Sequence, residues 1–308
     1  MTTFTAISMT NKTFPNFLGI GAQKAGTSWL HECLKKHSEI WLPPEKEIHY
    51  FDRNPKYSTP NFLHPDQPIL RFFGKENWNG IYRNKCKDVF KEHRKNPEIF
   101  KWYLKYLYLP CSDDWYSSLF EQGRDKIRGE ITPAYSVLDE QDVEHVHELM
   151  PDCKIIFILR NPIERAWSQF RFMVRMGKMN PEATFREFKS WVDSPDQTDR
   201  SAYLSTIDKW TNVFSSKQVL VCFYDDIVEQ PENLLRTTLE FIGAKSDDTT
   251  VGDILQRGRV NVSPEIDIPE EFKHYLQERY ARDMVRLAER LSGPAKSWLD
   301  EVPASLRA

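Results

Sequence analysis

The stretch FLGIGAQKAGTSWL, which runs from Phe17 to Leu30, decides the fold of this chain. Its apolar beginning predicts a strand over Phe17–Gly21, and the apolar spacing after the glycine-containing turn predicts a helix over 26–37. A strand, a glycine turn and a helix in this order form a cradle for an anion, because unpaired N–H groups and the positive end of the helix dipole meet there. The stretch is therefore predicted to bind a phosphate-like group.

The lysine of this turn does not stand where the Walker A pattern places it. That pattern requires a glycine, four further residues and then Gly-Lys-Ser/Thr. Gly21 and Gly26 have this spacing, but Thr27 follows Gly26 and the lysine stands earlier, as Lys24. Lys24 supplies a positive charge, and Thr27 and Ser28 supply hydroxyl donors, which suits an anion. An ordinary turn that happens to contain glycine is the alternative interpretation.

A second apolar segment, KIIFIL, predicts a strand buried on both faces over Lys154–Leu159. Arg160 follows it directly, and a helix is predicted over Pro162–Arg175, because proline suits the first turn of a helix. Ligands of open α/β sheets bind at the carboxyl ends of the strands. Arg160 and the hydroxyl of Ser168 are therefore candidates to bind a second, separate phosphate. A salt bridge at the sheet edge is the alternative role for Arg160.

Four segments resemble motifs of sulfotransferases that use 3′-phosphoadenylyl sulfate (PAPS), and along the chain they follow the order of the family's motifs. The lysine-containing turn resembles their 5′-phosphosulfate loop, and LRNPIERAWSQF (159–170) resembles their 3′-phosphate segment. PEKEIHYFD (44–52) resembles the K-E-x-H-[FY]-F-D segment of heparan-sulfate-type and related bacterial members, and RGRVNVSP (257–264) resembles the basic glycine loop that closes over the nucleotide. The resemblance spans roughly residues 17–291. It implies PAPS as co-substrate, no metal ion, and sulfuryl transfer to a small-molecule or carbohydrate acceptor.

The same resemblance implies which residues bind the donor. They lie in the lysine-containing turn, in the segment LRNPIERAWSQF, at the end of a later strand and in the late basic loop: Lys24, Ala25, Gly26, Thr27, Ser28, Trp29, Arg160, Ser168, Tyr224, Arg257, Gly258 and Arg259. Trp29 aligns with a tryptophan that stacks on adenine in cytosolic aryl and steroid sulfotransferases, although a core position is the alternative. Tyr224 resembles a position near the adenine.

Lys24 and two residues of the segment PEKEIHYFD are implied in catalysis. Negative charge grows on the bridging oxygen as the 5′-phosphate leaves, and Lys24 is placed to stabilise that charge. The resemblance implies Glu47 as the base that removes the acceptor proton, with His49 beside it. If the segment is extended, Glu47 and His49 share one face and Asp52 lies on the other.

Glu130 is the competing candidate for the base. It lies near the end of a strand predicted over 126–131, on the side where the donor binds. Heparan-sulfate enzymes carry a lysine directly after this glutamate, whereas this chain has Ile131. The difference weakens the case for a heparan-like acceptor. Sugars, phenols, steroid alcohols and natural-product hydroxyls all stay open as acceptors.

Composition limits the class of protein. The chain has 308 residues and a net charge of −3, which disfavours a nucleic-acid partner, and no linker or repeat divides it. Five scattered cysteines without C-x-x-C spacing disfavour a disulfide framework and a zinc site. No apolar run approaches the roughly 20 residues that span a bilayer, and the polar start lacks a secretory signal. We therefore expect one domain over 1–308 with a flexible segment at 1–13, a cytoplasmic location and no membrane partner, with the oligomeric state left open.

Strands alternate with helices along the chain. VLVCF predicts a further strand over Val219–Phe223, and further helices are predicted over 139–150, 202–214 and 268–291. This alternation predicts a three-layer α/β/α architecture with a mostly parallel central sheet. The resemblance implies that this is the P-loop-like fold of sulfotransferases. The aromatic-rich part 62–120 is interpreted as helical or irregular, and it serves either the acceptor site or the core.

Two other functions stay open at this point. A P-loop kinase or other ATP-dependent phosphotransferase requires magnesium and a lysine directly after Gly26. A non-catalytic protein that binds adenosine 3′,5′-bisphosphate keeps the anion cradle without the transfer. The presence of both Lys24 and a candidate base favours the enzyme.

Overall fold

A five-stranded parallel sheet forms the centre of the computed structural model, which describes residues 12–58, 61–256 and 267–307. Its strand order is β2-β3-β1-β4-β5. The strands are β1 (Phe17–Gly21), β2 (Ile40–Trp41), β3 (Ile127–Ile131), β4 (Lys154–Leu159) and β5 (Val219–Phe223).

Helices surround this sheet. In chain order the α-helices are α1 (Thr27–Lys35), α2 (Pro68–Phe73), α3 (Asn77–His93), α4 (Pro97–Tyr108), α5 (Asp113–Ser118), α6 (Glu140–Leu149), α7 (Pro162–Arg175), α8 (Phe185–Val192), α9 (Pro195–Ser201), α10 (Tyr203–Val213), α11 (Tyr224–Glu229), α12 (Pro231–Ile242), α13 (Asp248–Gln256), α14 (Glu270–Arg290) and α15 (Pro294–Ser297). Short 3-10 turns lie at Glu121–Gly123, Pro133–Val137, Ser216–Gln218, Trp298–Glu301 and Ala304–Leu306. No helix in the described ranges combines the length and the apolar character needed to cross a bilayer.

The two apolar runs that the sequence marks as strands lie at the middle of the sheet. Every residue of β1 is buried, and so is every residue of β4 except Lys154. β1 pairs with β3 so that Phe17 lies opposite Gly129. A Cβ atom on Gly129 would lie only 1.9 Å from Cζ of Phe17, so the aromatic ring occupies the space that a side chain would need. Glycine is required at this position for β1 and β3 to pair in this register.

The structure confirms the mostly parallel α/β architecture. β1, β4, β5 and α7 have the predicted bounds, and β3, α1, α6, α10 and α14 begin and end within two residues of theirs. The two-residue strand β2 was not predicted, because Ile40 and Trp41 are too few to show a period. The aromatic-rich part 62–120 contains four helices, α2 to α5.

The carboxyl ends of β1, β3, β4 and β5 meet at one edge of the sheet. β2 and β3 lie on one side of β1, whereas β4 and β5 lie on its other side. The connection after β1 therefore leads to one side of the sheet and the connection after β4 leads to the other, which makes the boundary between β1 and β4 a switch point. Ligands of open parallel sheets bind at such a switch point. A late segment supports this edge: Nε1 of Trp298 donates to Oδ1 of Asp225 (3.0 Å), and Nδ2 of Asn161 donates to Oε1 of Glu301 (2.7 Å).

Candidate active site

The turn between β1 and α1 presents the start of a helix without a side-chain cap. α1 begins after Gly26, which has a left-handed backbone with φ of 88°, and no side chain caps this helix. A Cβ atom on Gly26 would lie 2.3 Å from Cδ1 of Ile227 and 3.2 Å from Cδ2 of Tyr224, so glycine lets α11 approach the turn. The first N–H groups of a helix have no partner within the helix. They are therefore available to an anion at the switch point.

Lys24 lies in this turn among other cations. Its Nζ lies 4.4 Å from the centre of the Phe172 ring. The pKa of Lys24 is lowered to about 8, first by burial and then by four neighbouring positive charges, those of Arg175, Arg160, Arg171 and Lys46. Several cations that destabilise one another in this way gain stability when an anion binds between them. The surroundings of Lys24 thus fit the phosphate-like ligand that the sequence predicts.

Arg160 joins three parts of the site. Its Nη1 donates to the backbone oxygen of Lys24 (3.2 Å), and its guanidinium lies 4.3 Å from the centre of the Tyr224 ring. Its Nε also forms an ion pair with Oε2 of Glu164 (3.0 Å), which is the sheet-edge salt bridge named as the alternative. Ser168 is buried two turns into α7, on the same helix as Glu164. Arg160 and Tyr224, which the sequence analysis assigns separately to donor binding, therefore lie in contact at this edge.

The other predicted donor-binding residues of the turn differ in exposure. Ala25 and Thr27 are buried, whereas Ser28 is exposed and available to a ligand. Trp29 is half-buried and packs against the core, which agrees with the alternative interpretation for this residue. The predicted residues Arg257, Gly258 and Arg259 lie outside the described residues.

The segment 44–52 contacts the donor turn through a residue that the sequence analysis did not select. Nζ of Lys46 lies 3.2 Å from Oγ of Ser28 and 2.8 Å from Oε1 of Glu47. Lys46 thus connects the turn after β1 with the candidate base. Its position directly before Glu47 in the KEIHYFD motif was the available signal. Arg171, Phe172 and Arg175 were also missed, because only the packing of α7 shows that they lie near Lys24.

The expectation of an extended segment at 47–52 is wrong. Glu47 and His49 both have left-handed backbones, with φ of 63° and 59°. Nε2 of His49 lies 3.6 Å from Oε2 of Glu47, and Nδ1 of His49 lies 2.8 Å from Oδ2 of the buried Asp52. Asp52 is therefore not on an opposite face but holds the imidazole from its other side. A bent backbone, rather than strand periodicity, brings the three side chains together.

This arrangement fixes the charges of the candidate base and its neighbour. Burial alone would raise the pKa of Glu47, but the hydrogen bond with His49 and the charge of Lys46 outweigh burial and lower it to about 2. Burial alone would lower the pKa of His49, but the charge and hydrogen bond of Asp52, together with Glu47, raise it to about 10. At neutral pH the site therefore contains a carboxylate and an imidazolium, and His49 in this state has no lone pair to accept a proton.

Glu130 is enclosed by hydroxyl groups. Only 1% of its surface is exposed, and its carboxylate accepts hydrogen bonds from the hydroxyls of Tyr116, Thr132 (2.7 Å) and Tyr135 (2.7 Å). Burial raises its pKa, against the effect of these hydroxyls. Tyr135 in turn accepts a hydrogen bond from the backbone nitrogen of Tyr50 (2.9 Å). Glu130 therefore supports the segment that carries Glu47 through Tyr135, and its role as a base stays a prediction.

The described residues offer no evident metal site. Within these ranges no group of three or more His, Cys, Asp and Glu side chains is arranged to hold a metal ion. The five cysteines are all free and buried.

Comparison with known proteins connects this geometry with one family. The family model described as "Sulfotransferase domain" matches residues 15–263. The chain is similar to membrane-associated sulfotransferase kil1 of Dictyostelium discoideum, with 22% identity over 85% of this chain and 62% of that protein. It is also similar to the bifunctional heparan sulfate N-deacetylase/N-sulfotransferase 1 of Xenopus laevis, with 24% identity over 75% of this chain and 22% of that protein. The chain therefore spans less than two thirds of the length of either relative.

A solved structure shares the fold. The sulfotransferase of Alicyclobacillus acidocaldarius superposes with a TM-score of 0.59 at 22% sequence identity, covering 96% of this chain and 99% of the other. This likeness extends over almost the whole of both chains, and it supports the fold assigned from the sheet topology.

Proposed function

Because the chain belongs to the sulfotransferase family, we propose that it transfers a sulfuryl group from PAPS to a hydroxyl or amino group of a small-molecule or carbohydrate acceptor. One observation carries this proposal. Lys46 contacts both Ser28, at the uncapped start of α1, and Glu47, the candidate base. The side chain of Lys46 alone therefore bridges the proposed anion-binding turn and the proposed proton acceptor. A transfer between a bound donor and an acceptor requires these two parts to be this close.

PAPS, when bound, supplies a sulfuryl group on a phosphate that can leave. The chain contributes charge and position. Lys24 and the N–H groups at the start of α1 fit the 5′ end of the donor and stabilise the charge that develops there. Arg160 and Ser168 are proposed for the 3′-phosphate, with Arg257, Gly258 and Arg259 kept as predictions for the loop that closes over the nucleotide.

Glu47 is proposed as the base that takes the acceptor proton. A carboxylate with a pKa of about 2 is ionised at neutral pH, but it is a weak base while Lys46 and His49 neutralise it. An anion bound at the turn competes with Glu47 for the ammonium group of Lys46, which lies between them. Loss of that contact raises the pKa of Glu47 and makes it a stronger base when the donor is in place.

The test is an assay for release of adenosine 3′,5′-bisphosphate from PAPS with a panel of hydroxylated and amino acceptors, in the presence of EDTA. We expect acceptor-dependent release that EDTA does not abolish. The N-sulfotransferase named among the relatives is the reason to include amines. Transfer from ATP that needs magnesium would instead establish a kinase. Tight binding of the bisphosphate without turnover of any acceptor would establish a non-catalytic binding protein. A cytoplasmic location stays a prediction.

A further inference from the structure

Helix α2 has its polar and apolar residues in the reverse of the usual places. This helix reads PILRFF, and its single charged residue, Arg71, is fully buried. The large apolar side chains point outward instead: Ile69 is 66% exposed, Leu70 55%, Phe72 43% and Phe73 74%. A helix on the surface of a globular protein normally presents its polar side to solvent and its apolar side to the core. The outward face of α2 is therefore suited to an apolar environment.

Arg71 fixes this orientation. Its Nε donates to the backbone oxygen of Pro65 (2.6 Å), and its Nη2 donates to the backbone oxygen of Asp66 (2.5 Å) and to Sγ of Cys111 (3.0 Å). Turning α2 over would expose these contacts and leave buried backbone oxygens without their donors, which is costly. The exposure of the four apolar residues is thus imposed by the packing beneath them.

Further exposed apolar side chains lie on α3, on α4 and directly after α4. Of the eleven large apolar side chains that are exposed in the described part of the chain, nine lie between residues 69 and 109. Besides those of α2, they are Ile81, Phe90, Leu104, Tyr108 and Leu109. We call the exposed side of residues 68–109 the outer face. Concentration of exposed apolar groups in one segment marks an interaction surface, whereas single exposed residues do not.

The same segment carries an excess of positive charge. Residues 68–109 contain ten Lys and Arg against four Asp and Glu, in a chain with a net charge of −3. Arg71 is buried, and Lys85 and Lys105 pair with Glu45 and Glu121, and six exposed cations stand against four exposed acidic residues. Five lysines are exposed there: Lys75, Lys87, Lys91, Lys95 and Lys101. Lysine is depleted at protein–protein interfaces, whereas exposed phenylalanine and leucine beside lysine are typical of segments that lie in the interface of an anionic bilayer.

We propose that the outer face docks on the surface of an anionic lipid bilayer, with the apolar residues of α2 inserted and the lysines facing the lipid headgroups. This differs from the expectation of no membrane partner, which rested on the lack of a bilayer-spanning run. α3 and α4 also contact the segment with the candidate base. Nζ of Lys85 and the hydroxyl of Tyr103 both bind the carboxylate of Glu45, two residues before Glu47.

The test is co-sedimentation of the full chain with vesicles of phosphatidylcholine alone or with about a third of phosphatidylglycerol. We expect binding to the anionic vesicles that weakens with salt, since surface attraction to anionic lipid is screened. The double variant Phe72→Ser/Phe73→Ser should lower the partition coefficient about tenfold or more. Lys91→Glu/Lys95→Glu should abolish the preference for anionic lipid.

Matched controls lie outside the outer face. Val228→Ser removes another exposed apolar side chain, 67% exposed on α11, and Lys126→Glu/Lys217→Glu reverses two exposed lysines. These variants should bind as the unaltered chain does, and thermal melting should show that every variant is folded. The proposal is overturned if the unaltered chain does not bind anionic vesicles, or if the outer-face variants bind as well as the controls. It is also overturned if light scattering shows a dimer that only the outer-face variants dissociate, since the occupant would then be a second copy.

Discussion

At the scale of single residues, Lys24 and Glu47 are held in opposite electrostatic states. Burial and then the neighbouring positive charges lower the pKa of Lys24 to about 8, whereas His49 and Lys46 outweigh the effect of burial and lower the pKa of Glu47 to about 2. A bound anion would offset the positive charges around Lys24, and it would compete with Glu47 for the ammonium group of Lys46. Both residues therefore respond to one ligand, and each response can be measured separately.

Binding of adenosine 3′,5′-bisphosphate should depend on the protonation of Lys24. The pKa of Lys24 is below its usual value, so the ammonium group loses its proton as the pH rises through about 8. We expect the affinity, measured by calorimetry, to fall between pH 7 and pH 9. Lys24→Gln should bind more weakly with a flat profile over this range, and its turnover should fall by about 10²–10³. A steep profile retained in Lys24→Gln would assign the titration to another group.

The two candidate bases should separate by kinetics and stability. Glu47→Gln removes the proposed proton acceptor, so turnover should fall by about 10²–10⁴ while the melting temperature changes little. Glu130→Gln perturbs a carboxylate with three buried hydroxyl donors, so it should lower the free energy of unfolding by about 1–3 kcal/mol. Turnover per folded molecule should survive in Glu130→Gln. If Glu130→Gln is stable but inactive and Glu47→Gln is active, the roles are reversed.

At the scale of elements, the close approach of α11 to the start of α1 decides the shape of the donor turn. Gly26 permits this approach twice over, because it adopts a left-handed backbone and because it leaves room for Ile227 and Tyr224. Tyr224 is then placed beneath the guanidinium of Arg160. One glycine thus lets two helices and a strand end meet at the same edge of the sheet.

Gly26→Ala tests this alignment, and Gly243→Ala is its matched control. Both glycines have left-handed backbones, with φ of 88° and 81°, but a Cβ on Gly243 meets nothing within 4 Å. Gly243→Ala should therefore cost only the backbone strain, about 1–2 kcal/mol of unfolding free energy, with unchanged affinity for the bisphosphate. Gly26→Ala should cost more and also weaken binding. Equal losses of stability with equal affinities would show that the approach of α11 is unimportant.

The sequence predicts the elements better than it predicts the segment between them that carries the base. Short apolar runs predicted the bounds of β1 and β4, because strands buried on both faces are apolar throughout. The edge strand β5 is half-buried at its first three residues, and its apolar run VLVCF predicted its bounds as well. The segment 47–52 was misjudged because Glu47 and His49 adopt a left-handed backbone, which is rare outside glycine. The cations of α7 near Lys24 were missed for a different reason, since their proximity depends on tertiary packing alone.

At the scale of the whole molecule, the switch point between β1 and β4 collects groups from distant parts of the chain. The turn after β1, the end of β4 and the start of α11 all contact one another through Arg160. A ligand with phosphates at both ends would therefore tie several elements together. The single domain over 1–308 stays a prediction.

Thermal unfolding should report this cross-linking. At a concentration of 100 times its Kd, adenosine 3′,5′-bisphosphate should add about 2.7 kcal/mol to the free energy of unfolding. AMP at the same concentration should stabilise the protein much less, because it lacks the group proposed for Arg160 and Ser168. Differential scanning calorimetry with both nucleotides measures the difference. Equal stabilisation by the two, or stronger stabilisation by ATP with magnesium, would contradict the proposal of two separate phosphate sites.

Trp298 contacts Asp225, and Glu301 contacts Asn161, at the edge of the sheet proposed to bind the nucleotide. Support for this edge therefore depends on residues that are synthesised late. Asn161 and Asp225 each lie two residues after a strand, β4 and β5, yet the residues that support them come near the end of the described chain. A nascent chain that has not reached Trp298 lacks both of these contacts. Competence to recognise the nucleotide is thus deferred until translation has passed these residues, and truncation before Trp298 should yield a folded but poorly binding molecule.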